Sequence, residues 1–201
     1  METKVSKVDH VKELIAGKNW KGLVTFCELH ELDVACGQSV TETPFYTIHL
    51  FAYLLINDLD NARFLWKRTK KSNLNDREFD AAWAVGREMW NRNHTGFYNA
   101  LGSFQWTEPN NTLATSLADE FRGRTLELIA KAFSTITAKQ AATFLGLTAQ
   151  QTLEHTNRLG WTYDESGDLL TVKASALTKD QSSNIERLSQ LTEYFTYLES
   201  Q

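Results

Sequence analysis

Proline is nearly absent from this chain: Pro44 and Pro109 are the two in 201 residues. With so few ring constraints and no apolar–polar alternation before Trp161, the first two-thirds read as helical. Cysteine is as scarce. Cys27 and Cys36 stand nine apart with no C-x-x-C, which excludes a disulfide framework and predicts reduced, structural thiols in an intracellular protein. An excess of basic charge is missing too. The 21 Lys and Arg against 25 Asp and Glu leave −4, and the isoelectric point near 5.8 argues against general nucleic-acid binding. No apolar run is long enough for a bilayer. The longest, Phe45 to Ile56, is short and interrupted by His49, so no membrane contact is expected. Met1 to Lys7 is polar and charged, which is not a signal peptide. The sequons Asn93-His-Thr95 and Asn110-Asn-Thr112 are then chance matches.

Catalytic motifs are also missing. The sequence holds no Walker A, no G-x-G-x-x-G, no G-x-S-x-G and no H-E-x-x-H. Its five histidines, His10, His30, His49, His94 and His155, are scattered. His30-Glu31 beside Glu28 comes nearest to a ligand cluster, but a solvated helix end is the better reading. Asp58 and Asp60 lack the Gly and Glu of a calcium loop and suit a turn and an N-cap. No catalytic residue, metal site or cofactor is therefore expected.

What is present is a series of apolar stripes at helical spacing. Val8, Val11, Leu14 and Ile15 end at Gly17; Trp20, Leu23, Val24 and Cys27 follow. Thr43-Pro44 suits an N-cap and first helical position. The helix beyond it, to Ile56, is apolar nearly all round and so belongs in the centre. Helices then follow over Asp60 to Lys71, along Phe79, Trp83, Gly86 and Trp90, over Gly96 to Phe104, and from Pro109 to about Phe133. Helix pairs with short links predict an α-solenoid of tetratricopeptide type over residues 1–133. Ala62-Arg-Phe-Leu-Trp-Lys-Arg68 is echoed 24 residues on by Gly86-Arg-Glu-Met-Trp-Asn-Arg92, a shorter offset than the usual period of about 34. Trp66, Trp83 and Trp90 are expected in the core. The basic run Lys67-Arg-Thr-Lys-Lys71 is read as a helix end, where cations meet the free carbonyls, rather than as an import signal or a patch for an acidic partner.

Residues 134–172 change character. Thr137-Ala-Lys-Gln140 and Thr148-Ala-Gln-Gln151 fit capping boxes, and Gly146 stands between them at a tight turn. Trp161-Thr-Tyr163, a polar turn Asp164 to Asp168, and Leu169-Leu-Thr-Val172 predict a hairpin. Helix, helix and wing make a winged helix, with Trp161 packed on its helices. The second helix, Ala149 to Arg158, sets Arg158 and His155 against Glu154, too little charge for a DNA clamp. The module reads as a protein–protein block. Residues 173–183 are a polar linker. In 184–201 a last amphipathic helix is expected, with Ile185, Leu188, Leu191, Phe195 and Leu198 as its apolar stripe.

Helical repeats leading to a winged helix and a terminal helix resemble the PCI domain of proteasome-lid, signalosome and initiation-factor-three subunits. Asp60-Asn-Ala-Arg-Phe-Leu-Trp-Lys-Arg68 is similar to a motif of the signalosome's smallest PCI subunit family, subunit eight. So are Trp83-Ala-Val-Gly-Arg-Glu-Met-Trp90, Gly96-Phe-Tyr98, Trp106, Ala132-Phe-Ser-Thr-Ile136, Phe144-Leu-Gly-Leu147, Gly160-Trp161 and Arg187 to Tyr194. The resemblance implies a mainly α PCI domain and a non-catalytic scaffold in the nucleus and cytoplasm. The complex it would join removes Nedd8 from cullins of cullin-RING ligases. Implied partners are other signalosome PCI subunits, including subunit three. The wing strand Leu169, Leu170, Thr171 and Val172 would offer a free edge for sheet extension, and the terminal stripe would enter a helical bundle formed by the C-terminal helices of the subunits. The alternatives are a PCI subunit of the proteasome lid or of initiation factor three, and a winged-helix nucleic-acid binder.

Overall fold

The computed structural model describes residues 7–36, 45–71, 76–164 and 167–173, together with Thr192. The expected linker beyond Lys173 and all five residues of the terminal stripe, Ile185, Leu188, Leu191, Phe195 and Leu198, lie outside the described residues.

Helix α1 (Lys7–Ala16) buries Val11 and Ile15, and the chain turns where Gly17 N–H donates to the Glu13 carbonyl at 2.9 Å. Helix α2 (Trp20–Ala35) starts on Asn19, whose side chain accepts from Gly22 N–H at 3.0 Å. It buries Leu23, Val24, Cys27 and His30. Helix α3 (Tyr46–Leu55) is central, as an all-round apolar helix must be. Every residue from Thr47 to Leu55 is buried, and it touches α2, α4 (Leu59–Lys71), α5 (Arg77–Trp90) and α7 (Asn110–Ala132). Phe45 precedes it without a side-chain cap; Thr43 and Pro44 lie outside the described residues. Fully covering side chains such as Leu50, Phe51 and Leu54 contributes about 1.5–3 kcal/mol each.

The echoed runs put their small residues against this centre. Ala62 is fully buried, and a methyl group on Gly86 would meet Leu54 Cδ2 at 3.1 Å. Their tryptophans part company. Trp66 stacks on Trp83 with centroids 5.1 Å apart and planes at 16°. Trp90, at the last position of α5, is 44% exposed under the Arg63 guanidinium. Its expected place in the core is corrected, because the helix ends before a neighbour can cover it. His30 differs in the opposite sense. It is buried between Phe26 and Phe45, not solvated. The basic run does end α4, and it also ties helices together. Arg68 donates twice to Glu31 of α2, at 2.7 and 2.6 Å, and Lys70 meets Asp80 of α5 at 2.9 Å.

Helix α6 (His94–Gly102) is capped by Asn93 and lies beside α5. Helix α7 then runs 23 residues, roughly 34 Å, and serves two cores. Leu113, Ala114 and Leu117 belong to the large one. Ile129 belongs to a second one with Ile136, Ala138, Ala141, Trp161, Leu170 and Val172. That second core is the winged helix: β1 (Thr135–Thr137), α8 (Ala138–Leu145), α9 (Ala149–Arg158), β2 (Thr162–Asp164) and β3 (Leu169–Thr171). The second core thus draws on α7 from Leu126 and Ile129 onward, ahead of the division expected at residue 133. The architecture is mainly helical with a small antiparallel sheet, as the sequence predicts.

Candidate protein–protein interface

Local chemistry fixes the winged helix. Thr148 makes the full capping box: its side chain accepts from Gln151 N–H at 3.3 Å, and Gln151 Oε1 accepts from Thr148 N–H at 3.2 Å. Thr137 accepts from Gln140 N–H at 3.3 Å. Its cap is a single bond rather than the predicted box. Gly146 closes α8 at φ +61°, the left-handed turn the sequence requires.

The sheet is where the expectation changes most. The sequence predicts a two-stranded wing; three strands are present, in the order β1-β3-β2. Thr135, Ile136 and Thr137 face Thr171, Leu170 and Leu169, while Thr162, Tyr163 and Asp164 face the same three from the other side. Strand β3 is therefore central. The free edge expected at Leu169, Leu170, Thr171 and Val172 is corrected, since the ladder on both sides uses those backbone groups. Leu170 and Val172 are also buried in the core, whereas Leu169 and Thr171 keep exposed side chains. The outer strands of the sheet among the described residues are β1 and β2, each paired with β3.

Alternation tells which groups an edge offers. Val172 N–H donates to the Ser134 carbonyl at 2.9 Å, so Ser134 and Ile136 spend their backbone groups on β3. Thr135 and Thr137, between them, turn theirs outward. On the other rim the outward residue is Tyr163, whose hydroxyl donates to Asp168 Oδ1 at 3.0 Å. These are short, polar, three-residue edges, fit for pairing with one further strand and little more.

Helix α9 carries little of the charge of a DNA reader. Its inward face is Thr152 and Thr156, both fully buried, with hydroxyls returned to the Thr148 and Thr152 carbonyls at 2.9 Å. Its solvent face is Gln150, Gln151, Glu154, His155, Asn157 and Arg158. One arginine facing one glutamate gives no phosphate track. A groove of about 650 Å³ runs between α6 and α8, with Tyr98, Asn99, Lys139, Thr143 and Asp168 among its walls.

An electrostatic cluster lies elsewhere, between α2, α3 and α4. Glu31 holds Arg68 and lies 3.6 Å from His49 Nδ1. Tyr53, stacked on His49, donates to Glu28 at 2.7 Å. Burial pulls the His49 pKa down to about 4, with Arg68 acting the same way and Glu31 opposing. Burial also pushes the Cys27 thiol up to about 12, so it is an inert core group. Among the described residues no group of three or more His, Cys, Asp or Glu is placed to hold a metal ion. No described helix is long and apolar enough to cross a membrane.

The model of the CSN8/PSMD8/EIF3K family matches residues 40–195, through the central helices, the winged helix and into the terminal stripe. The chain belongs to the CSN8/PSMD8/EIF3K family. Among its relatives in that family, a protein of Arabidopsis thaliana named COP9 signalosome complex subunit 8 is 33% identical over 192 residues, covering 94% of this chain and 97% of its own length. Proteins of the same name from Xenopus laevis and Dictyostelium discoideum are 30% and 29% identical, over 87% and 94% of this chain and 89% and 96% of their own. This agrees with the resemblance to the subunit-eight family read from the Asp60 to Arg68 run.

Proposed function

We propose that this chain is a non-catalytic subunit of the COP9 signalosome, holding neighbouring subunits together in the complex that removes Nedd8 from cullins. The observation that carries this reading is the near full-length similarity to relatives named subunit 8 of that complex. Physical support comes from the winged helix. It presents β1 and β2 as the outer strands of its sheet and a second helix whose one arginine is matched by one glutamate, a surface suited to strand addition rather than to phosphate binding. These edges replace the Leu169 to Val172 strand as the pairing surface. The terminal stripe of Ile185, Leu188, Leu191, Phe195 and Leu198 is assigned to a bundle of C-terminal helices from several subunits, and subunit three is assigned as a neighbour of the helical part. The protein acts in the nucleus and cytoplasm.

The test is genetic. Cells that lose the chain should accumulate cullin carrying Nedd8, and the full chain should reverse this. A variant with Leu188→Asp and Leu191→Asp should not. An unchanged Nedd8–cullin ratio after loss of the chain contradicts the role. The family also spans proteasome-lid and initiation-factor-three relatives, which is the second reading. It is favoured if loss of the chain leaves cullins unchanged and impairs proteolysis or initiation instead.

A further inference from the structure

The run Asp60 to Arg68 is the most recognisable stretch of the chain, and packing explains only part of it. Ala62 and Leu65 are fully buried. Asn61 bonds back to Asp58, through its N–H at 3.1 Å and its side chain at 2.7 Å. Trp66 stacks on Trp83, and Arg68 holds Glu31. Arg63, Phe64 and Lys67 are left over. All three are exposed, Phe64 by 58%, and at spacings of three and four they share one side of α4. Arg63 reaches across to α5, with its guanidinium carbon 5.3 Å from the Trp90 ring centre. One turn before Trp90 lies Arg87, 63% exposed, its nearest acid Glu88 at 3.7 Å. Neither Arg63 nor Lys67 forms an ion pair among the described residues.

This is an unusual patch for a chain of net charge −4. Two large exposed rings are set among three cations, with Asp60 the one acid on the same helix. Trp and Arg are the residues that dominate binding energy at protein interfaces, and an exposed ring beside a cation is best covered by an apolar side chain flanked by carboxylates. We propose that the face formed by Arg63, Phe64, Lys67, Arg87 and Trp90 is a docking surface for an acidic segment of a partner protein. That segment lays an aliphatic or aromatic side chain on Phe64 and Trp90 and places its carboxylates at Arg63, Lys67 and Arg87. Charge complementarity selects the occupant: a basic segment is repelled, and a neutral one leaves the cations without partners. The surface is separate from the strand edges, and its assignment does not depend on which assembly the chain joins.

The experiment uses the full chain in its own cells, with a benzophenone-bearing phenylalanine at position 64. Light should link it to one partner peptide with a clear excess of Asp and Glu. The double variant Arg63→Glu, Lys67→Glu should lower that yield by roughly tenfold or more, while Arg63→Lys, Lys67→Arg retains it. Lys67→Glu alone leaves the Arg63–Trp90 contact in place and serves as the second variant should the double one fail to fold; it too should reduce the yield. The proposal is overturned by no crosslink at position 64, by a crosslinked peptide without acidic excess, or by a yield that ignores charge reversal.

Discussion

The ring of Tyr98, in α6, lies against Gly146 at the end of α8, so close that a methyl group on Gly146 would overlap it. This contact joins the helical repeats to the winged helix, and Gly146 is also held at φ +61°. Gly146→Ala therefore carries two costs, about 1 kcal/mol or more for the left-handed backbone and about 1–3 kcal/mol for overpacking. Denaturant unfolding should show a loss of roughly 2–4 kcal/mol. Adding Tyr98→Ala should relieve the overlap and make the two changes non-additive; simple additivity would place the cost in the backbone alone.

The buried His49 gives the fold a pH dependence of known sign. Its folded pKa is about 4, against an ordinary 6.5, so as pH falls the unfolded chain takes up the proton first. Stability is complete above about pH 6.5 and is lost on the way down to about 4. The 6.5-to-4 difference corresponds to roughly 3 kcal/mol. His94, also lowered by burial, acts in the same direction. Stability measured against pH should flatten in His49→Phe, which keeps a ring against Tyr53. An unaltered profile would mean that other groups carry the slope.

Arg68 lowers the His49 pKa while Glu31 raises it. Arg68→Gln removes the first influence and frees the Glu31 carboxylate to act on the imidazole. The His49 ring resonances should then titrate at a higher pH than in the parent chain. A downward shift would contradict the arrangement of the cluster.

The capping box on α9 is local, and so should be its loss. Thr148→Ala removes the bond to Gln151 N–H and should cost about 1 kcal/mol. Hydrogen exchange is expected to quicken in α9, with α3 unaffected. Equal acceleration in both helices would show that the two cores unfold as one unit.

Much of this fold is legible because its signals are short-range. The α3 run is apolar on every side, Gly146 sits between two Thr-x-x-Gln runs, and Trp161 comes just before a strand; each is readable within a dozen residues. Strand β1 is not. Ser134 to Thr137 offers Ile136 as its one apolar side chain, too brief for alternation to register, and its partner is 32 to 36 residues away. Without β1, β3 reads as an edge and the candidate interface is misplaced. Trp90 and His30 escape the sequence for a related reason, since the fate of a side chain near a helix end depends on whether another element reaches it. Phe45 reaches His30; Trp90 stays 44% exposed with Arg63 over its ring.

The corrected edge makes its own prediction. Thr135→Pro deletes an N–H that points away from β3 and leaves the internal ladder intact. The variant should fold, with near-parental unfolding behaviour, and incorporate poorly into its complex. Normal incorporation would remove β1 from the interface and leave β2 as the edge in use.

The central claim is tested most directly by affinity purification of the tagged full chain from its own cells, with mass spectrometry of what accompanies it. Stoichiometric signalosome subunits, with activity that strips Nedd8 from cullins in the eluate, are the predicted result. Recovery of proteasome-lid or initiation-factor-three subunits in their place, or of no component of any such complex, would contradict it.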